Sequence, residues 1–568
     1  MSTAGSLEVP IGRMGATRLQ TLRLGHGVAQ HALIAGKTGS GKSTLLHVLI
    51  TNLSLWYSPD EVEFYLVDFK KGVEFKAYAT HALPHARAVA VESDREFGLS
   101  VLQRVDGELT RRGALFRQLG VQDLAAYREA SGKGMPRTLL IIDEFQEFFS
   151  EDDRLAQDAA LLLDRLVRQG RAFGIHVLLG SQTIGGTSGL GRSTIGQMAV
   201  RIALQTSEAD SQVILGDGNS AARLLSRPGE AIYNDMSGLV EANSPFQVAW
   251  VSDERRDEHL AQIRERIRSE GWQGGEAVVF EGNVPADLRK NRELAALLEQ
   301  PSWGETPLAP RAWLGEPVAI KEPTAVVLRR QSGSNLLIVG QQEEAAMAVL
   351  AAGMLSLAAQ HAPEAARFLV LDGSPVDSPL AKVLPRMAEV LPQEVKLTEY
   401  RSVEAALGEL YEEMQRRQSG DETHPPAVFV VIYGLQRYRA LRRQEDSFSF
   451  SPRDEEAKPN PDRQFAEVLR DGPPLGIHVL AWCDTPAAVE RTLERTSLRE
   501  FDYRVLFQMS ASDSSNLIDS PLANKLGQNR ALAYSEEQGT LEKFRPYALP
   551  GGAWIDQVRE QLASRCQR

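Results

Sequence analysis

The sequence predicts an α/β protein of two tandem P-loop NTPase-type domains, each a parallel sheet flanked by helices, with the second domain degenerate. Three observations predict it. Apolar, strand-like runs alternate with helical stretches along the whole chain. A complete phosphate-binding loop lies near the start. The pattern of the first half then returns at a near-constant offset.

The loop is Gly36-Lys37-Thr38-Gly39-Ser40-Gly41-Lys42-Ser43. It follows the apolar run Ala32–Ala35 and precedes a helix-like run from Thr44, the strand–turn–helix context such a motif requires. The glycines let backbone N–H groups turn onto phosphates, and the helix N-terminus adds partial positive charge. Gly36, Lys37, Thr38, Gly39, Ser40, Gly41, Lys42, Ser43 and Thr44 are therefore expected to line an ATP site. Lys42 is expected to reach the β- and γ-phosphates and Ser43 to hold Mg²⁺. Thr138–Glu144 reads as a buried parallel strand ending in two carboxylates. Asp143 fits the metal shell. Glu144 is placed to orient or deprotonate the attacking water. A site that only binds nucleotide does not need that second carboxylate, so the pair points to ATP hydrolysis.

Further strands are expected near 62–67, 86–91, 139–142, 177–180 and 200–205, with a long helix from about Asp94 to Leu119. The repeat is read from matched segments. Leu33-Ile34-Ala35-Gly36 returns as Leu337-Ile338-Val339-Gly340, and Gly174-Ile175-His176-Val177-Leu178 as Gly476-Ile477-His478-Val479-Leu480. Arg201-Ile202-Ala203-Leu204-Gln205 returns as Arg504-Val505-Leu506-Phe507-Gln508. The chemistry does not return. Lys42 aligns with Ala346, Ser43 with Met347, Asp143 with Tyr433 and Glu144 with Gly434. Glu343 and Glu344 bring negative charge where phosphates would lie. Copy two reads as a pseudo-ATPase.

The expected division is an active domain over 8–252, a linker over 253–310, the degenerate domain over 311–550 and a C-terminal helix or tail over 551–568. Residues 446–463 read as a polar surface insertion. The net charge of −12 means that any grip on nucleic acid is local, as in an assembled pore. Two cysteines give no disulfide framework. No apolar stretch is long enough to span a bilayer, and the start lacks a signal-peptide pattern. The chain therefore reads as cytoplasmic, either free or held at a membrane by a partner or a longer parent chain.

The P-loop, Val67-Asp68-Phe69-Lys70-Lys71-Gly72, the acidic strand, Arg168-Gln169-Gly170-Arg171-Ala172-Phe173-Gly174-Ile175-His176, Gly180-Ser181-Gln182-Thr183 and Arg201–Gln205 followed by Asp210-Ser211 resemble the FtsK/SpoIIIE branch of the FtsK–HerA motor ATPases. Tandem copies with a degenerate later site are also similar to the EccC/EssC ATPases of type VII secretion. The resemblance implies a RecA-like fold and a ring of copies, a hexamer by family habit. It implies that Gln182 senses the γ-phosphate, and that Arg168 or Arg171 stabilises a neighbour's ATP in trans. Both arginines read equally well as surface salt bridges. The cargo expected from the copy-one motifs is double-stranded DNA, held without sequence specificity. Polypeptide is the alternative cargo, and an ATP-gated assembly scaffold is a third reading. Lys70, Lys71, Arg192 and the group Arg437, Arg439, Arg442 and Arg443 are the few cations available to a cargo.

Overall fold

The computed structural model describes residues 1–69, 74–183, 190–420, 425–443 and 460–566, with Arg192 described in its backbone only. Lys70, Lys71, residues 184–189 and most of the expected 446–463 insertion lie outside the described residues. The chain forms two compact units, Met1–Gly282 and Asn283–Arg568.

The described strands of the first unit are β1 (Leu7–Met14), β2 (Arg18–Leu24), β3 (Ala32–Ala35), β4 (Val62–Asp68), β5 (Ala86–Val91), β6 (Arg137–Asp143), β7 (Ile175–Ser181), β8 (Val200–Leu204), β9 (Glu230–Asn234), β10 (Ser244–Val248) and β11 (Val278–Glu281). They make one sheet in the order β11-β5-β4-β6-β7-β3-β8-β9-β10-β1-β2. From β11 to β8 every neighbour is parallel. From β8 to β2 every neighbour is antiparallel. The expectation of a parallel sheet thus holds for the centre and is corrected at one edge. The β1–β2 connection is Gly15-Ala16-Thr17, too short for the crossover a parallel pair needs.

The central strands are buried on both sides, so their sequences are continuous apolar runs rather than alternating ones. On one face Ile34, Leu66, Leu139, Ile141 and Leu178 join a core with Leu45, Leu46 and Leu49 of helix Lys42–Trp56. Helices Arg95–Leu119 and Arg154–Phe173 lie together and pack against β5 and β7 respectively.

The second unit contains β12 (Arg311–Pro317), β13 (Thr324–Val327), β14 (Leu336–Val339), β15 (Ala366–Asp372), β16 (Glu394–Thr398), β17 (Ala427–Tyr433), β18 (Ile477–Cys483), β19 (Tyr503–Leu506), β20 (Ala531–Ser535) and β21 (Thr540–Pro546). Its order, β13-β12-β21-β20-β19-β14-β18-β17-β15-β16, matches that of the first sheet strand for strand. Strand β11 has no counterpart among the described residues. The register agrees as well. Asp68 faces Asp143 across β4 and β6, and Asp372 faces Tyr433 across β15 and β17.

The stretch expected as a linker is divided between the units. Helix Asp253–Ser269 buries Leu260, Ile263 and Ile267 in the first core, and β11 adds an edge strand there. Trp272 donates its indole N–H to Asp60 at 3.1 Å under the Arg87 guanidinium. Beyond Gly282, Leu294 and Leu298 enter the second core, and Arg565 of helix Gly552–Cys566 lies over Trp303. Trp272 and Trp303, both in the stretch expected as a linker, pack against the core of the first and the second unit respectively.

The shared Gly-Ile-His motif is a strand anchor. His176 Nδ1 meets the Gln30 carbonyl at 2.8 Å, and His478 Nδ1 meets the Ser334 carbonyl at 2.8 Å. Next to them, His31 Nδ1 accepts from the Val177 N–H at 3.0 Å, where Asn335 Oδ1 accepts from Val479 at 2.8 Å. Burial pushes the His31 and His478 imidazoles down to about 4, and holds His176 well below its usual range. Such an imidazole takes up a proton more readily in the unfolded chain. Its stabilisation is complete above the ordinary value of 6.5 and is lost as the pH falls from there toward about 4. Urea titrations should therefore give midpoints that hold above pH 7 and drop from about pH 6.5 to pH 4.5, the unfolding free energy falling by up to ~1.4 kcal/mol per pH unit per histidine. Midpoints unchanged across that range would remove the anchoring role.

Candidate functional site

The P-loop connects β3 to helix Lys42–Trp56. Gly39 and Gly41 hold left-handed conformations, with φ of 79° and 102°, and a Cβ at Gly39 would meet nothing within 4 Å. The loop is fixed from behind. The Gly36 N–H donates to the Ser181 carbonyl at 3.2 Å, Lys37 N–H to Gln205 at 3.0 Å, and Gly229 N–H to Ser40 at 2.8 Å. The helix begins at Lys42 with no side-chain cap, so its first N–H groups point into the loop unanswered by a capping side chain. The buried Ser40 hydroxyl has no hydrogen-bond partner among the described residues. An open glycine turn, an uncapped helix start and an orphaned hydroxyl together fit a phosphate chain.

Three charges converge beside this loop. The buried Lys42 ammonium donates to Asp143 Oδ1, and to Glu144 Oε1 at 2.8 Å. Glu144 Oε2 also accepts from Gln146 Nε2 at 2.7 Å and from the Gln182 backbone N–H at 3.1 Å. The Gln182 side chain accepts from the Thr38 hydroxyl at 2.8 Å, which ties the end of β7 to the P-loop. Burial raises the Asp143 carboxyl above its usual range, opposed by Lys42. Burial also pushes Glu144 up, but Lys42, Gln146 and the Gln182 N–H together bring it below its ordinary value. A carboxylate kept ionised at the strand end can accept a proton from a bound water.

Glu144 itself sits in a left-handed backbone conformation, φ 54° and ψ 46°. A non-glycine residue there carries ~1–3 kcal/mol of strain. The matching residue in the second unit is Gly434, at φ 85°. The turn thus favours glycine in both units, and only the first holds a carboxylate in it.

The meeting of Lys42 with Asp143 also depends on Gly180. Strand β7 runs between β3 and β6, and a Cβ on Gly180 would lie 2.5 Å from Asp143 Oδ1. The second unit has Trp482 at this position. Trp482 stacks on Tyr433 with ring centroids 4.5 Å apart, and its indole N–H donates to the Gly340 carbonyl at 2.9 Å. Both rings are buried. Helix Glu343–Gln360 also starts three residues earlier than its counterpart at the 304 offset, so positions matching the phosphate turn are helical. Arg437 donates to the Gly373 carbonyl and lies 3.4 Å from Glu343. That arginine, expected among the cations for a cargo, is engaged at the filled site.

Arg168 and Arg171 are not brought to the P-loop. Both are exposed near the end of helix Arg154–Phe173, which leads into the start of β7. Glu144 and Gln182 lie past the other end of that strand, ~20 Å away at ~3.3 Å per residue. Arg168 pairs with Asp164 at 2.7 Å. Neither arginine reaches the site of its own unit.

Two residues absent from the sequence reading adjoin the site. Gln146 bridges Glu144 and the Ser181 hydroxyl, accepting from the latter at 2.9 Å. Glu74 accepts from the Ser43 hydroxyl at 2.9 Å. The signal available for Glu74 is its closeness to the Asp68-Phe69-Lys70-Lys71 motif.

Residues 4–186 match the FtsK/SpoIIIE family model. The ESX secretion system protein YukB of Bacillus subtilis is 26% identical over 86% of this chain and 34% of its own length. The DNA translocase FtsK of Streptococcus pyogenes is 29% identical over 46% of this chain and 33% of its own. Among solved structures, the cytoplasmic domain of the Thermomonospora curvata type VII secretion ATPase EccC aligns over 100% of this chain and 67% of that one, with TM-score 0.66 and 23% identity. ATPases 2 and 3 of the same protein, in complex with a signal sequence peptide, align over 96% of this chain and 94% of that one, with TM-score 0.55 and 21% identity. The chain spans about a third of the length of the curated relatives it matches. It carries an FtsK/SpoIIIE-type domain, and its fold is that of the tandem P-loop ATPase domains of EccC and EssC.

Gly180→Ala tests the geometry. The added methyl forces the Asp143 carboxylate away from the buried Lys42, so the urea midpoint should fall, the cost of a buried charge that loses a partner. The break with Lys42 should lower nucleotide turnover ~10- to 100-fold. Unchanged turnover would show that the close approach at position 180 has no chemical purpose.

Proposed function

We propose that the first unit is an ATP-hydrolysing motor site of the FtsK/SpoIIIE kind, working on polypeptide in the manner of the type VII secretion ATPases. In this reading the backbone of Gly36–Thr44 cradles the phosphates. Lys42 neutralises charge at the β- and γ-phosphates. Ser43 and Asp143 hold Mg²⁺, which when bound would offset charge on the phosphate oxygens. Glu144 orients the attacking water and takes its proton. Gln182, bonded to both Thr38 and Glu144, links the γ-phosphate region to β7.

The observation that carries this reading is Glu144. A carboxylate is kept in a strained, left-handed turn, with both of its oxygens engaged beside the P-loop lysine. Solvated acids at a strand end need no such strain. Arg168 and Arg171, remote from their own site and exposed, are suited to a neighbouring copy. The assembly proposed is a head-to-tail ring, a hexamer by family habit.

The relatives that span both units support this cargo. The secretion protein YukB matches over 86% of the chain, whereas the FtsK translocase matches over 46%. The motifs that favour double-stranded DNA lie in the first copy alone. The net charge of −12 supports polypeptide over a polyanion. Duplex DNA remains the second reading, favoured by the translocase match over 279 residues.

Glu144→Gln should lower turnover ~10²- to 10⁴-fold while nucleotide stays bound. Turnover per parent chain should rise with protein concentration if an arginine acts in trans. A polypeptide with a secretion-type tail should stimulate turnover, and long duplex DNA should not. Stimulation that grows with duplex length would replace the polypeptide reading with the DNA one. Slow turnover unmoved by any cargo would favour an assembly scaffold.

A further inference from the structure

We propose that Glu74, steered by His47, is a positioning residue that aims the Ser43 hydroxyl oxygen at the nucleotide-bound Mg²⁺. The proposal rests on the reading of the first unit as a Mg²⁺–ATP site. It concerns a residue that neither the P-loop nor the acidic strand contains.

The geometry is a chain of contacts behind the P-loop. Ser43 Oγ donates to Glu74 Oε1 at 2.9 Å. The other Glu74 oxygen lies 3.4 Å from His47 Nε2. His47 Nδ1 meets the Tyr78 hydroxyl at 2.9 Å. Ser43 and His47 are four residues apart on helix Lys42–Trp56, so they share one face. Tyr78 is fully buried on helix Lys76–Thr80, just beyond Glu74. A buried anchor thus fixes an imidazole, and the imidazole faces a carboxylate that fixes a hydroxyl.

The chemistry follows from the direction of the bond. A serine hydroxyl binds a metal ion through an oxygen lone pair, with its hydrogen turned away. A carboxylate that accepts this hydrogen selects the productive rotamer and makes the oxygen a better donor. Without it, the hydroxyl rotates freely and can turn its hydrogen toward the metal.

The second unit supplies an internal comparison. At the 304 offset Ser43 becomes Met347 and His47 becomes Ala351. The offset grows from 304 at β4 to 308 at β5, judged by the pairs Tyr65↔Ala88 and Leu369↔Lys396. Glu74 therefore falls within Ser378–Lys382, which contains no carboxylate. Tyr78 falls within Lys382–Arg386, which contains no tyrosine. Residues that anchor the fold persist across the same comparison: His176 and His478 at the Gln30 and Ser334 carbonyls, and Arg201 and Arg504, which donate to the Ile214 and Leu517 carbonyls. Glu74, His47 and Tyr78 vanish together with Lys42 and Ser43, as a group serving the nucleotide would.

The test is a fluorescent ATP analogue titrated with Mg²⁺, using the full chain, its Glu74→Ala, Glu74→Gln and His47→Ala variants, and parallel titrations in EDTA. Glu74→Ala should shift the Mg²⁺ midpoint upward ~10- to 100-fold, with analogue binding in EDTA unchanged. Glu74→Gln, whose amide oxygen can still accept from Ser43, should recover part of that shift. His47→Ala should move it in the same direction by less. A Mg²⁺ midpoint within twofold of the parent for Glu74→Ala, or an equal loss of binding in EDTA, would overturn the role. A parent chain that binds no nucleotide would instead overturn the reading of the first unit. If Glu74→Ala fails to fold by circular dichroism, the Glu74→Gln and His47→Ala midpoints decide the matter.

Discussion

Lys42 can meet Asp143 only because the strand between them carries no side chain at position 180. Strand order sets this requirement. The P-loop follows β3 and the two carboxylates end β6, with β7 running between them. A side chain on β7 at that level would enter the space where the lysine and the carboxylate touch. Once it is absent, three charges pack together with little water, and each satisfies another. Removing one partner would leave a buried charge uncompensated, a far larger penalty than the pair's own net worth. The strain at Glu144 is sustained in the same way, through Lys42, Gln146 and the Gln182 N–H.

The second unit shows the same frame without that constraint. Strand order and register persist, because they depend on apolar strands buried on both faces. With no lysine or carboxylate to accommodate, position 482 carries the largest side chain available. Trp482 and Tyr433 fill with apolar surface what the first unit fills with charge. Extending the helix back to Glu343 removes the turn that would wrap phosphates. Loss of chemistry and gain of packing are thus one change viewed from two sides.

Much of this was legible because the informative signals are local. A P-loop, an acidic strand end and a repeat offset each need only a short window of sequence. The strands at 32–35 and 86–91 and the helix after Asp94 were readable from apolar runs and spacing. The antiparallel edge was not, because β1, the partner of the β2 edge strand, joins the sheet through β10, some 230 residues away, and nothing local announces that partner. Strand β11 and Trp272 looked like linker for the same reason. Glu74 was hidden differently. Its meaning comes from touching Ser43 and His47 on another element, and a lone glutamate in a loop carries no spacing rule. The Gly-Ile-His motif stood out as a family mark, and its structural role emerged only from the carbonyls it meets.

The central claim is that the chain has one nucleotide site, in the first unit, and that the second is closed by its own aromatic side chains. Equilibrium dialysis of the Glu144→Gln chain against labelled ATP with Mg²⁺ measures it most directly. The account predicts one nucleotide per chain at saturation, falling to none when Lys42→Ala is added. Two nucleotides per chain, or one that survives the loss of Lys42, would contradict it.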